Sequence, residues 1–529
     1  MHDPTDALSK AVQAHPAIDP GLLQAACLNL STRPDELEPL LDLICARRVP
    51  PQRISHLIEQ TWTRLQGLRA REAEWVSRTA THSDLAHPLQ HAFIALRPGI
   101  AFSLENANAA FESAYRAAPA AGEAAERVAA IRAAQAEIAA IQLDYRRAAE
   151  RYADADATPG LAESAQWDYA LQHACALDCQ GREFRDDAAL QATIDLCETR
   201  LLALAPRTTR PDAWATTHHH LGDALGALGQ RQRGTSLLDR AIAAFAHALS
   251  ARSRERAPRD WAATQSSLGT TLGVLGQRRG DADMLERAVD ALQSALDVLD
   301  RDHWPRDWAM TQNTLAAALL SLGQRKRDRT LLKRAAEAYK DLLQIWTRAR
   351  SPLDWAATMD NLGTALRLLG EHRKGPRTFE QAVAACRSAL AERTRGRVPD
   401  DWAMTQNNLG AALHKLGERE NDPHALEAAI RAYEEALEVG HRDRAPLPWA
   451  MTRANLGAAR KALAQCVGDV GMARWALADF AAVAQVFRDA SHAQYYELVT
   501  EQLALTQKLE YALTRDASGR DKPDSRPAA

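Results

Sequence analysis

The chain has 529 residues, 46% of them apolar and 5% aromatic, with a formal net charge of −3 at pH 7. So even a balance demands neither a nucleic-acid partner nor a membrane surface. Seven cysteines, an odd number spread from Cys27 to Cys466, are no disulfide framework and fit a reducing compartment. The stretch after Met1 lacks a basic region followed by an apolar core, and no uncharged apolar run approaches ~18 residues. The expectation is a cytoplasmic protein.

Residues 1–82 read as an N-terminal helical bundle or cap. Prolines break it near Pro16–Pro20, Ser31–Pro34 and Val49–Pro51. Ser31 or Thr32 can cap the second helix, with Asp35, Glu36 and Glu38 suited to its positive end. Leu37, Leu40, Leu41, Ile44 and then Ile54, Leu57, Ile58, Trp62, Leu65 have helical spacing. Residues 83–210 repeat loosely. Ala107-x3-Phe111-x2-Ala114 and Tyr145-x2-Ala148-x3-Tyr152-x2-Ala155 each put small residues and an aromatic on one face, and Trp167 lies 47 before Trp214.

Residues 211–490 hold six regular units, marked by Trp214, Trp261, Trp308, Trp355, Trp402 and Trp449, each 47 from the last. A fixed period without drift means stacked repeats. Each unit opens with proline, two variable residues and Trp-Ala-x-Thr. In the fifth, Pro399 starts a helix where its missing N–H costs nothing, and Asp400 and Asp401 occupy the first turn. Trp402, Thr405, Leu409 and Leu413 share a face, and Gly410 thins the helix. Gly417 is expected to stop it in the left-handed cap position. A loop from Glu418 to Pro423 then leads to a second helix with an apolar stripe of Leu426, Ala429, Ile430, Tyr433, Ala436 and Leu437. Tyr496 stands 47 beyond Trp449, so residues 491–515 read as a capping helix. Residues 516–529 read as a polar, disordered tail.

These residues resemble the tetratricopeptide repeat family. Leu409-Gly410-x2-Leu413, Ala429-x3-Tyr433 and Ala436 match its motif, as do Leu221-Gly222, Ala241-x3-Phe245 and Ala248. The resemblance spans roughly residues 85–510 and implies an all-α fold, a right-handed α-solenoid of stacked helical hairpins. The period of 47 exceeds the usual ~34, which implies longer first helices and longer loops. Similar long-period arrays in bacterial sensors are joined to signalling ATPases or caspase-like proteases. This sequence carries neither a Gly-x4-Gly-Lys-Ser/Thr loop nor a linked protease pattern.

Other chemistry is weighed against packing. The Trp and Thr of each unit are spaced for one packed face, and the Thr hydroxyl can bond back to its own helix. That favours a structural repeat core over a ligand ladder. His218-His219-His220 point about 100° apart on a helix and cannot share one ion. Cys175 and Cys179, with His173 and Cys197 nearby, read as structural cysteines. No catalytic, metal or cofactor site is expected. Arginines form two rims, Arg231, Arg233, Arg278, Arg279, Arg325, Arg327 and Arg329 with Lys326, and Arg252, Arg254, Arg256, Arg393, Arg395 and Arg397. Solvated rims are the expectation, since no aromatics interleave for base stacking.

Function is then expected where units differ. The family's inner-face positions, carried over, give His219, Asn313, Asp360 and Asn407, and further along Arg367, His414, Lys415 and Lys461, with Ser266, Asp223 and Thr270 also on this face. The implied role is a scaffold or sensor that binds a peptide or protein partner in this groove. An RNA- or phosphate-binding solenoid using the arginine rims is the alternative. An enzyme with its site in the first 160 residues stands last.

Overall fold

The computed structural model describes residues 11–520 except 12, 15–17, 31, 33, 48, 79–82, 98–101, 120–122 and 491–492. Ser31, one of the two expected caps, lies outside the described residues. The described residues form helices and no strands, in two compact units, Met1–Ala318 and Leu319–Ala529.

The first unit opens with α1 (Pro20–Leu30), α2 (Pro34–Ala46), α3 (Pro51–Ala70) and α4 (Glu72–Arg78). Each of the first three starts at a proline, where the missing N–H is an orphan in any case. Loosely repeated helices follow: α5 (Ser83–Ala95), α6 (Leu104–Ala117), α7 (Ala125–Ile141), α8 (Tyr145–Asp156), α9 (Glu163–Phe184) and α10 (Asp187–Leu196). A π turn over Cys197–Leu201 carries α10 on to Leu204. The expected faces are inside: Ala107, Phe111, Ala114, Tyr145, Ala148 and Ala155 are all at most 1% exposed. The regular hairpins are α11 (Pro211–Arg231) with α12 (Ser236–Ala251), and α13 (Pro258–Arg279) with α14 (Ala282–Leu296). The division between the units falls inside α15 (Pro305–Lys326).

The second unit continues with α16 (Arg329–Leu342), α17 (Pro352–Glu371), α18 (Arg377–Leu390), α19 (Pro399–Glu420), α20 (Pro423–Val439), α21 (Pro446–Val467), α22 (Val470–Asp489) and α23 (Ala493–Arg520). In both units a first helix packs on its own second helix, and that second helix on the next first helix. This is a solenoid of helical hairpins.

The repeated phrase explains the hairpin. The Ala after Trp is fully buried at Ala215, Ala262, Ala356 and Ala450. The Thr two residues on closes its hydroxyl onto the carbonyl one turn back, at 2.8 Å for Thr264, Thr311 and Thr358 and 3.0 Å for Thr405. Gly410 approaches the Tyr433 ring so closely that a Cβ would lie 2.8 Å from it.

Two expectations are corrected. Gly417 does not end its helix: α19 runs to Glu420, and Asn421 takes the left-handed cap at φ 52°. Gly417 is glycine because Leu426 of α20 passes there, and a Cβ would sit 2.7 Å from its Cγ. The loop from Glu418 therefore shrinks to two residues before Pro423, with Asp422 capping α20 at the His424 N–H, 2.9 Å away. The length of the repeat is shared between the first helix, 22 residues in α19, and the loop between units, which runs from Ala391 to Val398. Likewise α23 runs to Arg520, past Asp516; residues 521–529 of the expected tail lie outside the described residues.

Among the described residues, α22 is long and apolar enough to cross a membrane by length and composition alone. Its Phe480, Val483 and Phe487 pack into a core with Ala450 and Val499, and its buried Asp479 is paired with Arg453 at 2.9 Å and Arg460 at 2.7 Å. That is the pattern of a core helix.

Candidate functional site

The repeated tryptophans are half-buried. Trp261 and Trp308 pack against Ala262, Ala295 and Leu299, and Trp449 against Ala450 and Phe480. An arginine lies over each ring: Arg207, Arg254, Arg301, Arg348, Arg395 and Arg442, with the guanidinium carbon 4.8–5.8 Å from the ring centroid. Every one of them precedes its tryptophan by seven residues. Two of these cations also reach the end of the next second helix: Arg254 donates to the Asp297 carbonyl at 3.1 Å, and Arg395 to Glu438 at 2.6 Å. Stacking desolvates one face of the cation and leaves its edge free for hydrogen bonds. The period-47 arginine was visible in the sequence beside each tryptophan, and only Arg254 and Arg395 were singled out there.

On the other rim three arginines are occupied. Arg231 donates to the Gly181 carbonyl at 2.9 Å and to Asp187 at 2.7 Å. Arg278, one period later, donates to the carbonyls of Gly229 and Gln232 at 2.8 Å each. Arg279 pairs with Asp239 at 2.6 Å. These cations satisfy the carbonyls left open at the end of the preceding first helix. Arg231, Arg278 and Arg279 thus hold one repeat to the next, which takes these guanidiniums away from the phosphate-binding alternative, while Arg233, Arg325, Arg327 and Arg329 are exposed as expected.

Two arginines go further in. Arg252 is 9% exposed and donates to the hydroxyls of Thr264 and Thr216, both at 2.8 Å. His219 Nδ1 lies 3.2 Å from the same Thr264 hydroxyl, and its Nε2 3.3 Å from Asp223. In the second unit Arg393, 6% exposed, donates to Thr405 at 3.0 Å and to Asp360 at 3.3 Å. Asp360 is 1% exposed and also accepts from Asn408 at 3.0 Å. Its carboxyl thus faces the joint between repeats and is not presented to a ligand, a correction to the expected groove. Burial pushes its pKa up, while Asn408 and Arg393 pull it down.

The remaining groove positions are placed as follows. Asn313 and Asn407 are half-buried, and Asn407 accepts from Asn455 at 3.1 Å. Arg367 pairs with Glu371 at 2.8 Å. His414 is 8% exposed beside Glu418 at 3.2 Å, and Lys415 reaches the same carboxylate at 2.8 Å. His414, whose close approach is the largest cause, and Lys415 together hold Glu418 down to about 2. Lys461 donates to Gln502 of α23 at 2.6 Å, and burial lowers its pKa. At the basic end of the expected face each cation already has a partner.

The three adjacent histidines separate as helix geometry requires. The His218 ring packs 4.2 Å from Trp214 and 5.0 Å from His247. Burial, then His247 and Arg207, lowers its pKa to about 4. Burial pushes the Cys175 and Cys197 thiols up to about 12, the behaviour of inert structural cysteines.

The tetratricopeptide repeat model matches residues 308–345 and 402–443. Among solved structures, the chain is similar to BtubC from P. vanneervenii, at 20% identity over 49% of this chain and 92% of that one, with a TM-score of 0.34. It is also similar to a Rap protein complexed with Competence and Sporulation Factor, at 12% identity over 73% and 99%, with a TM-score of 0.37. A third is a signal transduction ATPase with a tetratricopeptide repeat sensor from Pyrococcus horikoshii, at 12% identity over 84% and 71%, with a TM-score of 0.36. No curated protein matches the sequence. The two matched units are tetratricopeptide repeats, set among six that share one phrase and one hairpin geometry.

Proposed function

We propose that the chain is a protein-interaction scaffold that binds a peptide or protein partner along the first-helix face of its repeats. The family is one of interaction modules and points to a non-catalytic role. The observation that carries the reading is the contrast between framework and face. Tryptophan, alanine and threonine recur in every unit and are consumed by packing and by the threonine's own helix. The face positions change from unit to unit, and Asn313, Arg367, Asn407, Lys415 and Lys461 stay at least partly accessible.

Because Arg367 and Lys415 are held by Glu371 and Glu418, a partner's carboxylates would exchange with those acids. Such ion-pair exchange gives specificity more than raw affinity. Reversing both charges, Arg367→Glu with Lys415→Glu, is expected to abolish capture of the native partner. Capture unchanged by the double variant refutes binding at this end of the face. The phosphate-binding alternative predicts instead a steep loss of binding between low and moderate salt.

A further inference from the structure

The N-terminal helix α3 is seated on the first unit's repeat face. Arg53 forms an ion pair with Glu183 at the C-terminal end of α9. Arg64 lies over the Tyr145 ring at 5.8 Å, and its charge acts on the Cys179 thiol. Cys179 sits 47 before Gly226 on the face-lining side of α9, five residues beyond the motif position at Ala174. Across from these, Arg306 in the first turn of α15 pairs with Glu59 at 3.6 Å and contacts His56. Arg53 and Glu59 are six positions apart, about 120° around the helix by the shorter way, with His56 between them. They lie on one broad face of α3 and reach two first helices, α9 and α15, three units apart in the array.

The two ends of α3 are held differently. Leu65 and Leu68, 1% and 0% exposed, are packed in one core with Leu85, Phe111, Ile131 and Ile138. The opening turns of α3 carry α1 on their apolar side, through Ile54, Leu57 and Ile58. Toward the repeats they offer charges: the Arg53 side chain is 44% exposed and that of Arg306 54%. With Glu183 and Glu59 only 12% and 21% exposed, these are half-exposed pairs, partly screened by salt. One end is an apolar anchor, and the other is an ionic latch.

We propose that the wall pair formed by the end of α9 and the start of α15 is a helix-docking surface, that α3 is its resident helix, and that a partner helix with a cation and, six residues on, an acid enters by exchanging with the opening turns of α3. The exchange breaks the two ion pairs, the Arg306–His56 contact and the Asn29–Glu59 hydrogen bond, and the same two partners, Glu183 and Arg306, then receive the incoming helix. This names the partner class for the scaffold proposed above and rests on that reading.

The test uses the full chain and a fluorescent peptide of residues 51–70 as the probe. In Arg53→Glu with Glu59→Arg, the resident helix is repelled while both walls stay native. That chain is expected to bind the peptide about tenfold more tightly than wild type, and adding Glu183→Arg is expected to remove the gain. Without peptide, hydrogen exchange over residues 53–60 is expected to quicken in the double variant and in Glu183→Arg alone. Equal peptide binding by wild type and double variant, or unchanged exchange in both variants, overturns the proposal. The exchange arm needs no partner and reads the first unit, whereas the Arg367 and Lys415 substitutions read the second. The two readings therefore fail separately.

Discussion

Two joints between repeats are built on one plan, a buried arginine donating to the repeated threonine, with different neighbours around it. In the first unit Arg252 enters between α11 and α13; in the second Arg393 enters between α17 and α19. They stand 141 residues apart, three periods of 47, and so do His219 and Asp360, the face residues each joint draws in. The first joint is a net of neutral acceptors: Arg252 meets two threonine hydroxyls and the Asp260 carbonyl. The second is a buried ion pair, Arg393 with Asp360, steadied by Asn408. Where Leu299 replaces the arginine, Ser266 and the Thr311 hydroxyl meet directly at 3.0 Å. The threonine is the constant part, and what is brought to it sets how strongly neighbouring units depend on each other.

The sharpest way to break the comparison is to remove each arginine in turn. Arg393→Met leaves the Asp360 carboxylate buried and unpaired and is expected to cost about 3–5 kcal/mol. Arg252→Met strands only neutral groups and is expected to cost about 1–2 kcal/mol. Urea unfolding, with hydrogen exchange read separately over α17–α19 and α11–α13, measures both. Equal losses would show that the ion pair adds nothing to the joint.

Acid distinguishes the same two hairpins. His218 in α11 titrates at about 4 in the folded chain against 6.5 for an unperturbed histidine, whereas Met359 holds the equivalent place in α17. Its folded pKa is depressed, so the unfolded chain binds the extra proton first. The stabilisation is complete above about pH 6.5 and is lost as pH falls toward 4, by an amount on the order of 2–3 kcal/mol. Exchange over α11–α12 is expected to quicken across that window, and in His218→Met the response should vanish.

The helix contacts within the hairpins differ as well. A Cβ at Gly222 would lie 2.6 Å from the Phe245 ring, whereas at Gly363 it would meet Cys386 Sγ at 2.7 Å. Gly222→Ala is expected to cost about 1–3 kcal/mol in a denaturant melt, and pairing it with Phe245→Cys should recover part of that loss. The smallest effect serves as the control. Arg254 and Arg395, also 141 apart, both lie 5.8 Å from their tryptophans. Their alanine variants are expected to lose about 0.5–1 kcal/mol each, by the same amount in either unit.

Much of the fold was legible because it is written six times. Proline, tryptophan, alanine and threonine at fixed offsets announced the first helix, and the structure closes each Thr264-type hydroxyl on its own turn. The end of that helix was misread at Gly417, because a glycine near a helix terminus looks the same whether it supplies a left-handed cap or room for Leu426. Only the neighbour decides. The face was partly legible. Position identified Asp360 and His414, but position cannot say that Arg393 pulls Asp360 inside or that His414 is 8% exposed over Glu418. The arginine over each tryptophan was equally present as a spacing of seven, yet the rims were read as blocks of charge instead of by register.

What the amino-acid sequence determined by itself is the repeat: its period, its two helices and the residues that fill each hairpin, since these depend on contacts close along the chain. What only the tertiary structure decided is the occupancy of charged groups. An arginine's guanidinium reaches across a helix to partners 33 to 49 residues away, as Arg393 does to Asp360 and Arg278 to Gly229. Arg306 reaches 250 residues back to His56. Long side chains choose among distant acceptors by geometry that no local pattern encodes.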